Sequence, residues 1–595
     1  MPKDRIESAY RTRVEAAEQA RNRAHPEHLA NPDETRYASA HYPMSFTKGL
    51  AHDSATGLVA DPTHFEAFRT AIDEGYVEYF TSRVPVPTDH PRRKWEAPTA
   101  GVVYDLQGPD AQAVTMPPAP ALGSDELAYE MAEVYELALL RDVPLTSFSE
   151  AGGADEAKVD QSIGNLNGMS YSIDGSEGRA RKNVGGALTR QTAFRGSTPG
   201  VDVGPYLSQF MMMGNGTLAG HAPQDGFIAF GAQEIDQRVP IAKPHEDHMQ
   251  LWDDWLDVQR GFDVNTLGKG KNNEMCSAGQ LFAGGTRFIK TPRDLATYVH
   301  YDALYQAYLN ATLILLGHGA PFDPSFAKLS GMRNMFNPIN KSKVPQNAGG
   351  FALYGGPHIL TLVTEVATRA LKAVRYQKFN NHLRLRPEAL AGRIEKAHEI
   401  DDTFKSTCKA FSDLKGAMPG TLADVKEHNA KCGANTLLLP MAFAEGSPMH
   451  PTYGAGHATV AGACTTIVKA FFDCGAVLGK KKTEEEECST GTIGFFHDIT
   501  HPFYYQVNDD GSELDSCDTD CPLTLEGELN KLAANISIGR NMAGVHYFSD
   551  YYDSLRMGEA IAIGMLEEQA LCYPTDDFVL SIPTFDGDLV RIGAK

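Results

Sequence analysis

The sequence predicts a mainly α protein: helical bundles, with two four-helix-bundle-like cores, long loops and a small C-terminal β-hairpin. Three observations carry that expectation. From about residue 293 onward, apolar residues recur at helical spacing in one segment after another. Before that point, long stretches rich in Pro, Gly, Ser and Asn lack any sustained period. Near the end, Phe578–Ile592 reads as two short apolar runs around an Asp586-Gly587 turn, a hairpin signal.

Residues 5–24 are rich in Ala, Arg and Glu and free of Gly and Pro, which predicts an exposed helix. Residues 25–125, including Pro117-Pro118-Ala-Pro120, hold many turn formers and are expected to wrap over a core. A second helix is expected over 126–140, followed by an aperiodic stretch over about 150–240. Further helices are expected over 293–316, 358–379, 386–399, 458–473, 527–543 and 549–570. The run Lys480–Glu487 switches abruptly from Lys to Glu and reads as a solvated loop, and 495–525 as the rim of a pocket. The organisation expected is an N-terminal helical and loop-rich region, 1–270, and a helical-bundle region, 271–595, that carries every candidate ligand, the two able to form one compact unit.

A chain of 595 residues can bury a large core. Its formal charge of −22 argues against nucleic acid or an anionic membrane as partner. No charge-free apolar run of about 20 residues is present, so no membrane span is expected. The polar start Met1-Pro-Lys-Asp-Arg-Ile-Glu carries no apolar signal region, so the expectation is a soluble chain, cytoplasmic or of unknown compartment. Nine scattered cysteines do not form a disulfide framework, and Cys517-Asp-Thr-Asp-Cys521 reads as a loop with two thiols.

The most informative stretch is His450-Pro-Thr-Tyr-Gly-Ala-Gly-His457-Ala458, which runs into an apolar helix. Small residues before a helix start leave backbone N–H groups bare, and a helix N-terminus attracts anions. Two other segments belong with it: Lys378-Phe-Asn-Asn-His-Leu-Arg-Leu-Arg386-Pro387 and Gly539-Arg540-Asn-Met-Ala-Gly-Val-His546. Among their residues, Lys378, Arg386, Arg540, His457, His546 and an amide nest are the ingredients of a tetrahedral oxyanion site. Other motifs are weaker. His245-Glu-Asp-His248 lacks the spacing of a zinc protease helix, and Gly268-Lys-Gly-Lys271 lacks the length of a phosphate loop.

With these three segments in this order, the chain resembles the vanadium-dependent haloperoxidases, whose vanadate site the type 2 phosphatidic acid phosphatases share. The spacings match the bromoperoxidase branch, with eight residues from Lys378 to Arg386 and six from Arg540 to His546. The resemblance is strongest over about 295–565 and takes in Val299–Tyr308 and Gly544–Asp550.

The resemblance implies one vanadate per chain, with His546 as the metal ligand and Lys378, Arg386, Gly456 and Arg540 on its oxygens. His457 becomes the general acid–base, a role suited to a side chain that titrates near working pH. His450 and Arg375 fall at positions beside the halide and join Lys378 among the catalytic residues. Asp302 becomes a carboxylate that orients an active-site His or Arg. Ala455 departs from the pattern, which has Ser with its hydroxyl on the vanadate. Hydrogen peroxide, bromide or iodide and a small organic acceptor are the implied substrates, a homo-oligomer the implied assembly, and calcium a possible further ion. The rival reading is an acid phosphatase on the same scaffold, with His546 as nucleophile. A non-enzymatic helical scaffold rests on Ala455 alone.

Two geometric problems follow from the spacings. On an ideal helix His546 lies about 240° round from Arg540, so both reach one ligand only if Gly544 breaks the helix. Lys378 and Arg386 would lie about 12 Å and 80° apart, with Pro387 opening a new helix.

Overall fold

Helices are built where apolar stripes and capping residues coincide. The computed structural model describes residues 3–149, 155–216, 219–264, 282–325, 329, 350–405, 408–481, 493–574 and 578–593. Thr291 caps the helix Pro292–Tyr301: its hydroxyl accepts the Asp294 N–H at 3.2 Å, and the Asp294 carboxylate accepts the Thr291 N–H at 3.2 Å. Thr524 likewise caps Leu525–Met542 by accepting the Gly527 N–H at 3.1 Å.

Four helices converge on the centre: Gly356–Arg375, Gly456–Phe471, Leu525–Met542 and Phe548–Ala570. The Gly456–Phe471 helix is buried along its whole length apart from His457, as its run of Ala, Gly, Val and Ile requires. Two glycines let it lie against Phe548–Ala570 backbone to backbone. A Cβ on Gly462 would come within 2.0 Å of the Leu555 carbonyl oxygen, and one on Gly558 within 2.0 Å of that of Thr459. Replacing either glycine would force these helices apart and move the Gly456 end.

The expected helices over 5–24, 126–140, 458–473, 527–543 and 549–570 appear as Lys3–Arg21, Asp125–Leu139, Gly456–Phe471, Leu525–Met542 and Phe548–Ala570. The expected 293–316 helix is instead two, Pro292–Tyr301 and Gln306–His318, because the backbone turns extended at Asp302. The expected 386–399 helix is also two, Pro387–Glu395 and Ala397–Thr403. Helices at Pro62–Glu74, Glu156–Asn167, Trp252–Gln259, Cys408–Gly416 and Pro419–Ala430 were hidden by their turn-rich surroundings.

The C-terminal hairpin forms as expected, with Leu580–Pro583 antiparallel to Leu589–Ile592 and Gly587 at φ +88° in the turn. It is not the sole β structure. Val477–Lys481, Ile493–Phe496, Ile499–Val507 and Leu514–Asp518 make a four-stranded antiparallel sheet. The alternation in Ile499–Val507 buries Phe503, Tyr505 and Val507 on one face, a period-two signal that the reading as a pocket rim missed. Two further two-stranded sheets lie within 227–287.

The main hydrophobic core draws on both halves of the chain, from Leu127 and Tyr135 to Leu529 and Leu555. A smaller aromatic cluster groups Phe65, Phe68, Phe80 and Phe379. Among the described residues, no helix is long and apolar enough to cross a membrane. Cys517 and Cys521 are free thiols. Residues 268–271 and most of the Lys480–Glu487 run lie outside the described residues.

Candidate functional site: a buried cation chamber

The first wall comes from the segment after Gly356–Arg375. That helix widens into a π-helical stretch, Tyr376–His382, and stops at Leu383 in the left-handed region, φ +43°. The chain then runs extended to Arg386, with Pro387 at the first position of the next helix, as its missing N–H and fixed φ favour. The reversal brings Lys378 and Arg386 to one chamber, so the separation of a continuous helix does not apply. Lys378 Nζ donates to the carbonyls of Pro451 (2.7 Å) and Thr452 (2.9 Å). Arg386 donates from Nε to the His450 carbonyl (2.9 Å) and from Nη1 to that of Val545 (2.8 Å). Its two terminal nitrogens face ring nitrogens, Nη1 at 3.1 Å from His546 Nε2 and Nη2 at 2.7 Å from His450 Nδ1.

The second wall is the start of the Gly456–Phe471 helix. Ala455 is its N-cap, extended at φ −84°, ψ 124°, and offers no capping side chain. The Ala455 N–H is already given to Ser554 Oγ at 2.8 Å. The bare amides are therefore those of the first turn, Gly456, His457 and Ala458, which no acceptor among the described residues takes. His457 Nε2 lies 3.0 Å from Asp302 Oδ1. Because the Pro292–Tyr301 helix ends where it does, the Asp302 carboxylate is free to meet that ring.

The third wall follows Arg540. Gly544, at φ +84°, ends the Leu525–Met542 helix, and His546 sits in the short link before Phe548–Ala570. The break therefore falls where the spacing required it. Arg540 Nη1 donates to the Val299 carbonyl at 3.0 Å, and its Nε is buried without a partner among the described residues. His546 Nδ1 is 2.7 Å from Asp550 Oδ2 and 3.0 Å from Thr452 Oγ1. A carboxylate on Nδ1 fixes the proton there and leaves the Nε2 lone pair toward Arg386 and the chamber.

Asp550 is the hub of this arrangement. Its Oδ2 also accepts the Tyr547 N–H at 3.1 Å and the Thr452 hydroxyl, and its Oδ1 pairs with Arg384 at 3.1 Å. Arg384 in turn pairs with Glu130 and donates to Ser549 Oγ at 2.9 Å. Asp550, Thr452 and Arg384 were not picked out from the sequence. The signal for Asp550 was the four-residue step from His546 across a helix start.

Lys378, Arg386 and His546 are at most 2% exposed, and Arg540 is buried. Among the described residues, neither Lys378, Arg386, Arg540 nor Arg375 has a carboxylate within ion-pair distance. Burial pushes the Lys378 ammonium well below its usual range, with Arg386 and Arg375 adding repulsion. Burial does the same to His546 and His450, again reinforced by neighbouring cations, and takes Arg386 down to about 9. Buried cations without counter-charge are costly, each by several kcal/mol. A chamber that assembles them around bare amides and one unprotonated imidazole nitrogen has the donor set for a multiply charged oxyanion with a central atom open to ligation. Orthovanadate is such a group, and the residues present fit it; Ala455 adds no side-chain donor, and Gly456 offers its backbone amide alone.

Of the candidate site residues, Lys378, Arg386, Arg540, His450, His457 and His546 lie within hydrogen-bonding or electrostatic reach of one another, with Arg375 and Asp302 against them. His450 meets Arg386, and Arg375 repels both Lys378 and His450. His248 of the weak zinc motif is buried elsewhere, in an isolated bridge with Met441. Among the described residues, no group of three or more His, Cys, Asp or Glu side chains is placed to hold a metal ion.

No family model matches the chain. It is 39% identical over 641 residues to a vanadium-dependent bromoperoxidase of Corallina pilulifera, covering 99% of this chain and 98% of that protein. The bromoperoxidase of Corallina officinalis is also 39% identical, over 638 residues, with the same coverage, and that of Ascophyllum nodosum 29% over 600, covering 99% of this chain and 93% of that one. Among solved structures, the fold matches the homohexameric second vanadate-dependent bromoperoxidase of Ascophyllum nodosum with a TM-score of 0.74 and 26% identity, covering 99% of this chain and 91% of that one.

Proposed function

This chain belongs to the vanadium-dependent bromoperoxidases, and we propose that its cation chamber binds one orthovanadate and serves the oxidation of bromide and iodide by hydrogen peroxide. The product is hypohalous acid, which halogenates a small organic acceptor. The observation that carries the site assignment is a His546 ring anchored by Asp550, with Arg386 at its Nε2 and Lys378 and Arg540 within electrostatic reach, none of the three paired to a carboxylate among the described residues.

His546 would ligate the metal through Nε2, while Lys378, Arg386, Arg540 and the Gly456 amide would neutralise the oxygens. Bound vanadate supplies Lewis-acid activation of the peroxide. The chain's own residues do the rest. His457 moves a proton at its ring, held in orientation by Asp302 on Nε2. Arg375 and His450 would line the halide side, where a guanidinium with no carboxylate partner among the described residues attracts bromide. Burial excludes water and strengthens each of these interactions.

We also read the helices around the chamber as one of two four-helix-bundle-like cores, and regions 1–270 and 271–595 as parts of one compact unit. The chain would assemble as a homo-oligomer, as its hexameric structural neighbour does. Its exposed N-terminal helix supports this: Ile6, Tyr10 and Val14 recur every four residues and are 53%, 62% and 38% exposed.

Full-length identity to bromoperoxidases sets aside both the acid phosphatase and the non-enzymatic scaffold. A vanadate-reconstituted assay with peroxide and bromide, run beside a phosphate-ester assay, tests the choice. Bromination without ester hydrolysis is the expected result, and the reverse would overturn it.

A further inference from the structure

The segment before the first long helices carries a carboxylate whose place the reaction does not explain. Residues Pro91–Ala97 are clamped against the stretch that leads into His450. Arg93 Nη1 donates to the carbonyls of Glu445 (3.0 Å) and Ser447 (3.2 Å), and Trp95 Nε1 to that of Lys48 (2.9 Å). Glu96 binds Met449 twice, its N–H to the Met449 carbonyl at 3.0 Å and its Oε1 to the Met449 N–H at 3.3 Å. Immediately afterwards Ala97 turns into the left-handed region, φ +50°, which a residue with a Cβ disfavours. Packing holds the chain in that turn, and the turn aims the Glu96 side chain.

It aims at the chamber. Glu96 Oε2 lies 3.5 Å from His450 Nε2. His450 Nδ1 lies 2.7 Å from Arg386 Nη2, which can only donate, and 3.2 Å from the Pro451 carbonyl; with Nδ1 accepting the shorter bond from Arg386, the ring's proton is on Nε2 and faces Glu96. Arg93 flanks the other carboxylate oxygen at 3.8 Å. Glu96 is also within electrostatic reach of Arg375, Lys378, Arg386 and Arg540.

The other carboxylates near the chamber are committed. Asp550 is held by His546, Thr452, Arg384 and the Tyr547 amide. Asp302 is held by His457 and Glu445 by His300. Glu96 is 43% exposed and rests on the rim, where turning toward water costs it the Met449 N–H bond and the Arg93 contact.

Building on the vanadate reading of the chamber, we propose that Glu96 is an internal counter-anion: it partly neutralises the empty chamber and competes with any incoming anion. Its negative charge then sets the anion affinity of the site. Loss of the charge, with the shape kept, tightens binding of every oxyanion that the chamber admits.

The test is an equilibrium titration of the metal-free chain with orthovanadate and, separately, with inorganic phosphate. Wild type, Glu96→Gln and Glu96→Asp are compared at low and high salt, with melting curves to show equal folding. Glu96→Gln should bind both anions about three- to thirtyfold more tightly, the range one charge gives in a half-solvated site. That gap should narrow at high salt, and Glu96→Asp should stay close to wild type. Equal or weaker binding by a normally folded Glu96→Gln overturns the inference while leaving the cofactor reading intact. A wild type that binds neither anion overturns both.

Discussion

Asp550 Oδ2 lies 2.7 Å from His546 Nδ1, so one carboxylate decides which nitrogen of the ring is left for the metal. The same oxygen accepts the Tyr547 N–H and the Thr452 hydroxyl, which fixes the carboxylate from three directions. Outer carboxylates that orient a ligating histidine typically account for ten- to a hundredfold in metal affinity. Asp550→Asn should therefore weaken vanadate binding by about that factor. Equilibrium binding measures it, and an unchanged affinity in a folded variant would remove Asp550 from the site.

Asp302 holds His457 as Asp550 holds His546, at 3.0 Å on Nε2. If His457 moves the proton, His457→Ala should lower bromide turnover by about 10²–10⁴-fold. Asp302→Asn should lose a smaller factor, with the loss in kcat and the bromide KM nearly unchanged. A change confined to KM would place Asp302 in binding instead.

Ala455→Ser asks whether the missing hydroxyl matters. Ala455 is the N-cap of its helix, and its N–H is tied to Ser554 Oγ. A serine there should tighten vanadate binding by at most about a hundredfold, since a charge-assisted hydrogen bond is worth roughly 1.5–3 kcal/mol. Should the hydroxyl cap the Ala458 amide instead, the melting temperature would rise and affinity stay level. Measuring both quantities on one preparation separates these outcomes, and a level affinity sinks the prediction.

The three ligand segments were legible because each role demands a residue type: paired cations for oxyanions, an imidazole for the metal, small residues before a helix. The break at Gly544 and the new helix at Pro387 were legible for the same reason, since backbone chemistry dictates both. The π-helical turn at Tyr376–His382 was not, because it depends on packing between distant segments. Arg384 and Glu130 were invisible for a related reason: an ion pair that joins residues 254 apart leaves no local pattern. The four-stranded sheet was missed although Ile499–Val507 alternates, because turn-rich flanks drew the reading toward a loop.

Acid should destabilise the fold through its buried neutral histidines. Burial, with Arg393 nearby, takes His52 down to about 3, and burial takes His318 down to about 4. Unfolded, both titrate near 6.5, so between about pH 6.5 and 4 the unfolded chain binds more protons and stability falls as pH falls. Each contributes up to about 1.4 kcal/mol per pH unit over that window. His52 is satisfied as a neutral ring, with Nδ1 on the Leu50 carbonyl at 2.9 Å and Nε2 on Thr47 Oγ1 at 3.0 Å. His52→Gln should flatten the fall of the melting temperature below pH 6.5. An identical slope in wild type and variant would show that His52 does not drive it.

The vanadium content of the reconstituted chain tests the central assignment most directly. Metal-free wild type and His546→Ala are incubated with orthovanadate, desalted and analysed for vanadium per chain, with and without excess phosphate. The expected result is one vanadium per wild-type chain, displaced by phosphate, and none retained by a folded His546→Ala. Wild type that retains no vanadium, or a His546→Ala variant that retains as much as wild type, would contradict the assignment of the chamber and its ligand.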